Sequence, residues 1–194
     1  MPSAMIHMLT GRDYDPAGGD RFQLGLIAPD HAFDRKYKDS IHLRDRPDRM
    51  AALAELREKL DLRDGYALGW LLHLFTDLRW DDSYLKAYRE AHESEGEWFP
   101  GYHRELHSAG YALYHRYDWA EEACAAALRV DLTTLPPELP GTPEQIELFR
   151  SILMEKTRES DPAISSAAFP PEAVERFAAE TAALFRRWLE GGKP

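Results

Sequence analysis

The sequence predicts an all-α fold, on three observations. Apolar residues recur at helical spacing in several segments. Segment starts carry helix-opening signals, at Pro47-Asp48, Asp118-Trp119-Ala120-Glu121, Thr142-Pro143-Glu144-Gln145 and Pro171. No stretch alternates convincingly with the period of a sheet. The expected architecture is a single helical domain over residues 1–194, with about seven helices packed round one buried central helix.

That central helix is Gly65 to Trp80, GYALGWLLHLFTDLRW. It is apolar almost all the way round, as a helix buried on every side is. Yet it carries His73 and Asp77, one turn apart and so on one face.

In chain order, a first helix is expected near residues 3–13, with His7 among Ile6, Met8 and Leu9. Tyr14-Asp15-Pro16 and Gly18-Gly19 end it. The apolar run FQLGLIAPD leads to Asp30, at a loop or helix end where side chains tend to do chemistry. Residues 31–46 read as charged and irregular, with His42 between Ile41 and Leu43. Pro47 opens a helix whose Met50, Leu53, Leu56 and Leu60 form one apolar stripe, a scaffold element. Asp81-Asp82-Ser83 punctuates the end of the central helix, and Ser83 is placed to cap YLKAYREAHE. Pro100 begins GYHRELHSAGYALYHRY, and the capping box at Asp118–Glu121 opens a helix running to about Val130.

LTTLPPELPG is the one candidate linker. Thr142-Pro143-Glu144-Gln145 is a second capping box, opening a helix with Ile146, Phe149, Ile152 and Leu153 on one side. After the loop DPAISSAAFPP, Pro171 opens the last helix, with Val174, Phe177, Thr181, Leu184 and Trp188, and Gly191-Gly192 stops it. Both late helices are expected to cover the same core.

Composition narrows the function classes. The chain is 44% hydrophobic and 30% charged, the balance of a folded globular protein. A net charge of −10 argues against a nucleic-acid surface, which demands stripes of Lys and Arg. It leaves room for a small phosphate ester held by a buried cation. One cysteine, Cys124, cannot form an internal disulfide and fits a reducing compartment, and EEACAAALRV reads as a helix with a packed thiol. The opening MPSAMIHMLTGRDYD lacks a basic region and an apolar run of secretory length, so a cytoplasmic location is expected.

A carboxylate among apolar residues is costly without a positive charge beside it. Asp77 therefore points to a metal ion, with an ion pair to Arg79 or Arg63 as the alternative. The groups that interrupt apolar surroundings with a metal-binding side chain are His7, Asp30, His42, His73 and Asp77. Mixed imidazole and carboxylate ligands suit Zn²⁺, and also Mn²⁺ or Fe²⁺. Taken singly, each histidine also reads as a satisfied core residue. His31, His92 and His115 read as surface residues, and Trp70, Trp80 and Tyr84 as a pocket wall or core. The chain has no His-Asp dipeptide, Gly-rich phosphate loop, GxSxG elbow or CxxC.

MIHMLTGRDY with His7, LGLIAPD with Asp30, KDSIHLRD with His42 and GYALGWLLHLFTD with His73 and Asp77 together resemble the bacterial zinc-dependent phospholipase C family. That family belongs to the wider phospholipase C/P1 nuclease superfamily. The resemblance implies that Asp30, His42, His73 and Asp77 hold one zinc ion. It implies that Asp77 bridges to a second ion held by His7, within a total of one to three ions. The implied activity is hydrolysis of a phosphate ester, a phosphodiester in the family, with a small-molecule ester or a phospholipid as substrate. Asp30 would also orient or deprotonate the attacking water.

Two departures stand out. The family uses the free amine of an N-terminal tryptophan as a ligand, and this chain opens Met1-Pro2. The family also has a histidine soon after HxxxD and then an HxxxE pair, whereas here no histidine follows Asp77 until His92. His103 and His107 in HRELH could replace that pair, but a helix face is the favoured reading. Two further readings stay open: a non-catalytic helical protein holding a structural or sensory metal, and a metal-free interaction domain with Asp77 paired to an arginine.

Overall fold

In the computed structural model, which describes residues 3–192 (residue 95 by its backbone alone), the chain is all-α. Ten α-helical segments follow in order: α1 Ala4–Tyr14, α2 Asp20–Gly25, α3 Arg35–Ile41, α4 Arg49–Lys59, α5 Gly65–Trp80, α6 Lys86–His92, α7 Trp98–Arg116, α8 Ala120–Arg129, α9 Pro143–Arg158 and α10 Pro171–Leu189. No strand occurs among the described residues. The count exceeds the expected seven chiefly because two short segments, α2 and α3, lack a strong apolar period.

The clearest difference is α3, in a stretch that reads as irregular. Asp34 caps it by accepting a hydrogen bond from the Tyr37 N–H, at 2.8 Å. Ile41 is its one buried residue, so there is no repeating stripe to detect.

The central helix α5 spans the residues its sequence predicts. The Asp64 side chain caps it through the Tyr66 N–H and holds the Arg21 guanidinium at 2.9 Å. Helix α2 lies directly against it at two glycines. A β-carbon on Gly69 would sit 2.4 Å from the Phe22 carbonyl oxygen, and one on Gly25 would sit 2.3 Å from that of Tyr66. Backbone therefore meets backbone, and the chain leaving α2 runs close along α5. Helices α1 and α10 pack on each other and on α5.

The chain does not break at Asp81. A π-helical turn, Asp81–Leu85, carries it straight into α6. The Ser83 hydroxyl donates to the Arg79 carbonyl at 2.6 Å, so it satisfies a carbonyl of α5 and caps nothing. Asp48 is a cap and not a first-turn residue, because its carboxylate accepts from the Ala51 N–H. The Asp118 box does not form: Trp119 is the capping residue of α8, without a side-chain hydrogen bond. The Thr142–Gln145 box forms with both bonds. Gly191, at φ +90°, ends α10.

The two late helices cover one core, as expected, but through different neighbours. Helix α10 packs on α1, whereas α9 packs on the 3₁₀ turn Ala28–His31 and on α8. Buried residues from all of α1, α2, α4, α5, α7, α8, α9 and α10 join one apolar cluster, Leu139 of the proline-rich connection included. Cys124 is a packed thiol, its Sγ 4.0 Å from the Met8 sulfur and its pKa pushed up to about 11 by burial. Among the described residues no helix is long and apolar enough to cross a membrane.

The glycine contact yields a stability prediction. Gly69→Ala forces a methyl into backbone that has no side chain to move aside. The expected loss lies at or above the upper end of the ~1–3 kcal/mol typical of overpacking. Urea unfolding of the variant beside the wild type measures it.

Candidate metal centre

Four elements deliver the five predicted ligand residues. Helix α5 supplies His73 and Asp77, α1 supplies His7, the 3₁₀ turn supplies Asp30, and His42 caps the end of α3. His7, His42, His73 and Asp77 are fully or almost fully buried. The Asp30 side chain keeps 12% of its surface exposed.

The protonation of two imidazoles is fixed by backbone. The His42 Nδ1–H donates to the Lys38 carbonyl at 2.7 Å, and the His73 Nδ1–H donates to the Leu26 carbonyl at 2.8 Å. A carbonyl only accepts, so each Nδ1 carries the hydrogen and each neutral ring has its lone pair on Nε2. Those two Nε2 atoms lie 3.2 Å apart. No neutral tautomer allows a hydrogen bond between them while both carbonyl bonds stand. Either an extra proton or a cation must relieve the repulsion. Burial, outweighing the attraction of Asp77 and Asp30, holds the His73 pKa below the ordinary histidine value, which disfavours the proton.

Two carboxylates complete the group. His42 Nε2 is 3.4 Å from Asp30 Oδ1 and 3.4 Å from Asp77 Oδ2. His73 Nε2 is 3.8 Å from Asp77 Oδ2. Zinc bonds of ~2.0–2.1 Å in a tetrahedron put neighbouring donors about 3.3–3.4 Å apart. The separations among His42, His73 and Asp77 straddle that edge, so two nitrogens and one oxygen fit one such ion, with Asp30 Oδ1 at its rim beside His42. On the other side of Asp77, His7 Nε2 is 3.6 Å from Oδ1, and the His7 ring stacks on His73 at 3.7 Å. Ligand atoms of His42, His73 and Asp77, and likewise of His7, Asp30 and His73, lie within 4.8 Å of one another. A second ion shared by His7 and Asp77 has donors to meet it.

Charge balance by itself does not call for a metal. Lys38 Nζ is 2.9 Å from Asp30 Oδ1, and Arg44 and Arg49 both hydrogen-bond Asp81 Oδ2, at 2.7 and 2.9 Å. Three cations thus offset Asp30, Asp77 and Asp81. Hydrogen bonding, by contrast, is incomplete. Among the described residues, neither oxygen of Asp77 and neither ring nitrogen of His7 has a hydrogen-bond partner, though both residues are buried. An unsatisfied buried polar group costs about 1–3 kcal/mol, and a charged one more. The guanidinium near Asp77 is that of Arg44, 3.9 Å away and turned to Asp81. It is not Arg63, which pairs with Asp61. Burial raises the Asp77 pKa, but the attraction of His42 and His73 in their protonated forms, with that of Arg44, outweighs it and leaves the carboxyl below its ordinary value. Asp30 behaves likewise, burial being outweighed by Lys38 and His42.

A cleft of about 880 Å³ opens beside Asp30. Its walls include Phe33, Trp98, Phe99, Tyr102 and Phe149, with Lys38, Arg44, His103 and His107 among the polar groups. His103 and His107 sit on α7 in the cleft wall with ring centroids 6.0 Å apart, and neither joins a group of metal-ligand atoms among the described residues. Trp70 and Trp80 belong to the core, and Tyr84 stacks on Trp80 at 4.6 Å, so Trp98 and Phe99 form the wall in their place. His31 is not a surface residue: it is buried against Trp70 and Tyr37, its Nδ1–H donating to the Ala28 carbonyl.

Lys38 and Arg44 escape a reading by sequence. Lys38 stands one turn before His42 in KDSIH, a usable signal only once α3 is known to be helical. The amine that serves as a ligand in the resembled family falls on residues 1 and 2, outside the described residues. Compared with protein-family models, with characterised proteins and with solved structures, the chain matches none.

The buried histidines predict a pH effect. Burial, first among the causes, lowers the pKa of His7 and His73 from 6.5. A lowered folded-state pKa means that the unfolded chain takes up protons first as pH falls. In the presence of a chelator, stability should hold above pH ~7 and decline from about pH 6.5 downward. Urea midpoints across pH 8 to 5 measure this, with His7→Gln expected to flatten the decline.

Proposed function

We propose that the protein is a metal-dependent hydrolase of a phosphate ester, with zinc the best-suited ion and manganese or iron as substitutes. The observation that carries the reading is the pair of imidazole lone pairs facing each other at 3.2 Å beside two ionised carboxylates, next to an open cleft. Asp30, His42, His73 and Asp77 would hold the principal ion, and His7 with Asp77 a second. Bound there, a divalent cation polarises a phosphoryl oxygen and lowers the pKa of water.

The chain's own groups have distinct tasks. The Leu26 and Lys38 carbonyls fix the ring orientation and tautomer of His73 and His42, which keeps both Nε2 atoms aimed inward. Asp30 alone among the ligand group lines the cleft, so its carboxylate is the one able to orient a water there or take its proton. The burial of Asp77 excludes bulk water and strengthens every electrostatic contact around it. A structural or sensory metal is the second reading, favoured by the complete burial of Asp77 and His73. The cleft beside Asp30 favours the enzyme, since catalytic sites keep one side open.

Elemental analysis of the purified protein tests this reading, with Asp77→Asn as the shape-preserving variant. Wild type should carry divalent metal, and the variant should lose it. Hydrolysis of bis(p-nitrophenyl) phosphate with added zinc or manganese should fall at least about 100-fold, beyond the ~10–100-fold usual for an outer partner of a ligand. Metal without turnover would favour the structural or sensory role. Wild-type protein that takes up no metal would sink both.

A further inference from the structure

The chain carries a net charge of −10. The cleft lining reverses that balance, with Arg35, Lys38, Arg44 and Lys156 against Asp30 and Asp39. A positive basin with apolar walls on an acidic protein concentrates anions, because low-dielectric walls focus the field. Its cations are not equivalent. Arg44 is committed to Asp81 by two hydrogen bonds, at 2.7 and 3.1 Å, and Arg35 lies 3.7 Å from Asp39. Lys38 stands closest to the ligand group, 2.9 Å from Asp30 Oδ1, with 27% of its side chain exposed. Its carbonyl orients His42 while its ammonium reaches over Asp30 toward the cleft.

We propose that Lys38 is a phosphate-binding residue, and that the cleft takes a dianionic phosphate group whose alcohol part is apolar. The proposal rests on the phosphate-ester reading above and adds a residue and a substrate class to it. A divalent cation at Asp30 and Asp77 cancels those two carboxylates. The ammonium of Lys38 is then left beside a like charge, which weakens its hold on Asp30. A flexible four-carbon stem lets it follow an anion in the cleft. Lys38, Lys156 and the one charge by which Arg44 and Arg49 exceed Asp81 then remain uncompensated, a surplus that a monoester dianion answers better than a diester monoanion. Phe33 and Phe99, 69% and 43% exposed, give the apolar wall that would receive the alcohol.

The test uses the full-length, zinc-loaded protein and two probes with an uncleavable carbon–phosphorus bond at pH 8.5. These are phenylphosphonate, a dianion, and its monomethyl ester, a monoanion. Calorimetric titration should find the dianion bound at least about tenfold more tightly than the ester. Lys38→Met should weaken the dianion by at least about tenfold, the size of one charge-assisted hydrogen bond. Lys38→Arg should restore most of that loss, and zinc content should be the same in all three proteins. Lys38→Gln replaces Lys38→Met if the latter does not fold. Equal dianion binding by wild type and Lys38→Met overturns the proposal, as does a monomethyl ester bound as tightly as the dianion. Absence of dianion binding by wild type, or loss of zinc in a folded Lys38→Met, overturns it too. Failure to hydrolyse any ester while these binding differences hold removes the hydrolase reading and leaves the anion site standing.

Discussion

Everything in this molecule that resembles chemistry follows from two backbone carbonyls. Leu26 and Lys38 each take the Nδ1–H of a histidine, and so turn the opposite nitrogens of His73 and His42 toward each other without a proton between them. In water that arrangement would dissolve by rotation of a ring. Inside the core the rings are packed, and rotation would leave a carbonyl and an N–H unpaired. The Leu26 carbonyl is available because α2 ends at Gly25, freeing the carbonyls of its last turn. It lies in reach because Gly25 and Gly69 let α2 and α5 touch. Fold and site are therefore one constraint and not two.

The surrounding charges have a different role. Lys38, Arg44 and Arg49 keep Asp30, Asp77 and Asp81 from repelling one another, yet none of them hydrogen-bonds Asp77 among the described residues. A site built only for stability would have turned Arg44 to Asp77, since a buried pair gains most when its lone pairs are filled. Here the guanidinium faces Asp81, and the Asp77 oxygens face His42, His73 and His7. Neutralisation without hydrogen bonding keeps the carboxylate ionised and its lone pairs available.

What the sequence reveals depends on how local the cause is. Helix α5 is legible because a long apolar run with one His–Asp interruption suits little except a buried helix. The Thr142 box is legible because both bonds lie within four residues. Asp118 reads the same way and fails, since Trp119 instead occupies the capping position of α8. Helix α3 hides because a helix with one buried residue has no period. The five candidate ligand residues can be named from their apolar settings and from a family resemblance. Lys38, Arg44 and the Trp98–Phe99 wall cannot, because the cleft is made by α3, α7 and α9 meeting in space. His31 misleads for the opposite reason, its polar neighbours in sequence giving no sign of Trp70 and Gly141, remote in the chain, which pack against its ring.

The π-helical turn at Asp81–Leu85 changes the phase of the helix downstream of it. Each such turn inserts a residue into the helical count, which rotates the next face by about 100°. Helix α5 is buried nearly all round, but α6, continuing on the same axis, contains no buried residue. The turn thus joins a rod embedded in the core to one lying on the surface, with no loop between them. It also sets Asp81 at the junction, where its carboxylate can gather two arginines from the α3–α4 connection and the start of α4. A change of pitch here takes the place of a hinge or a cap.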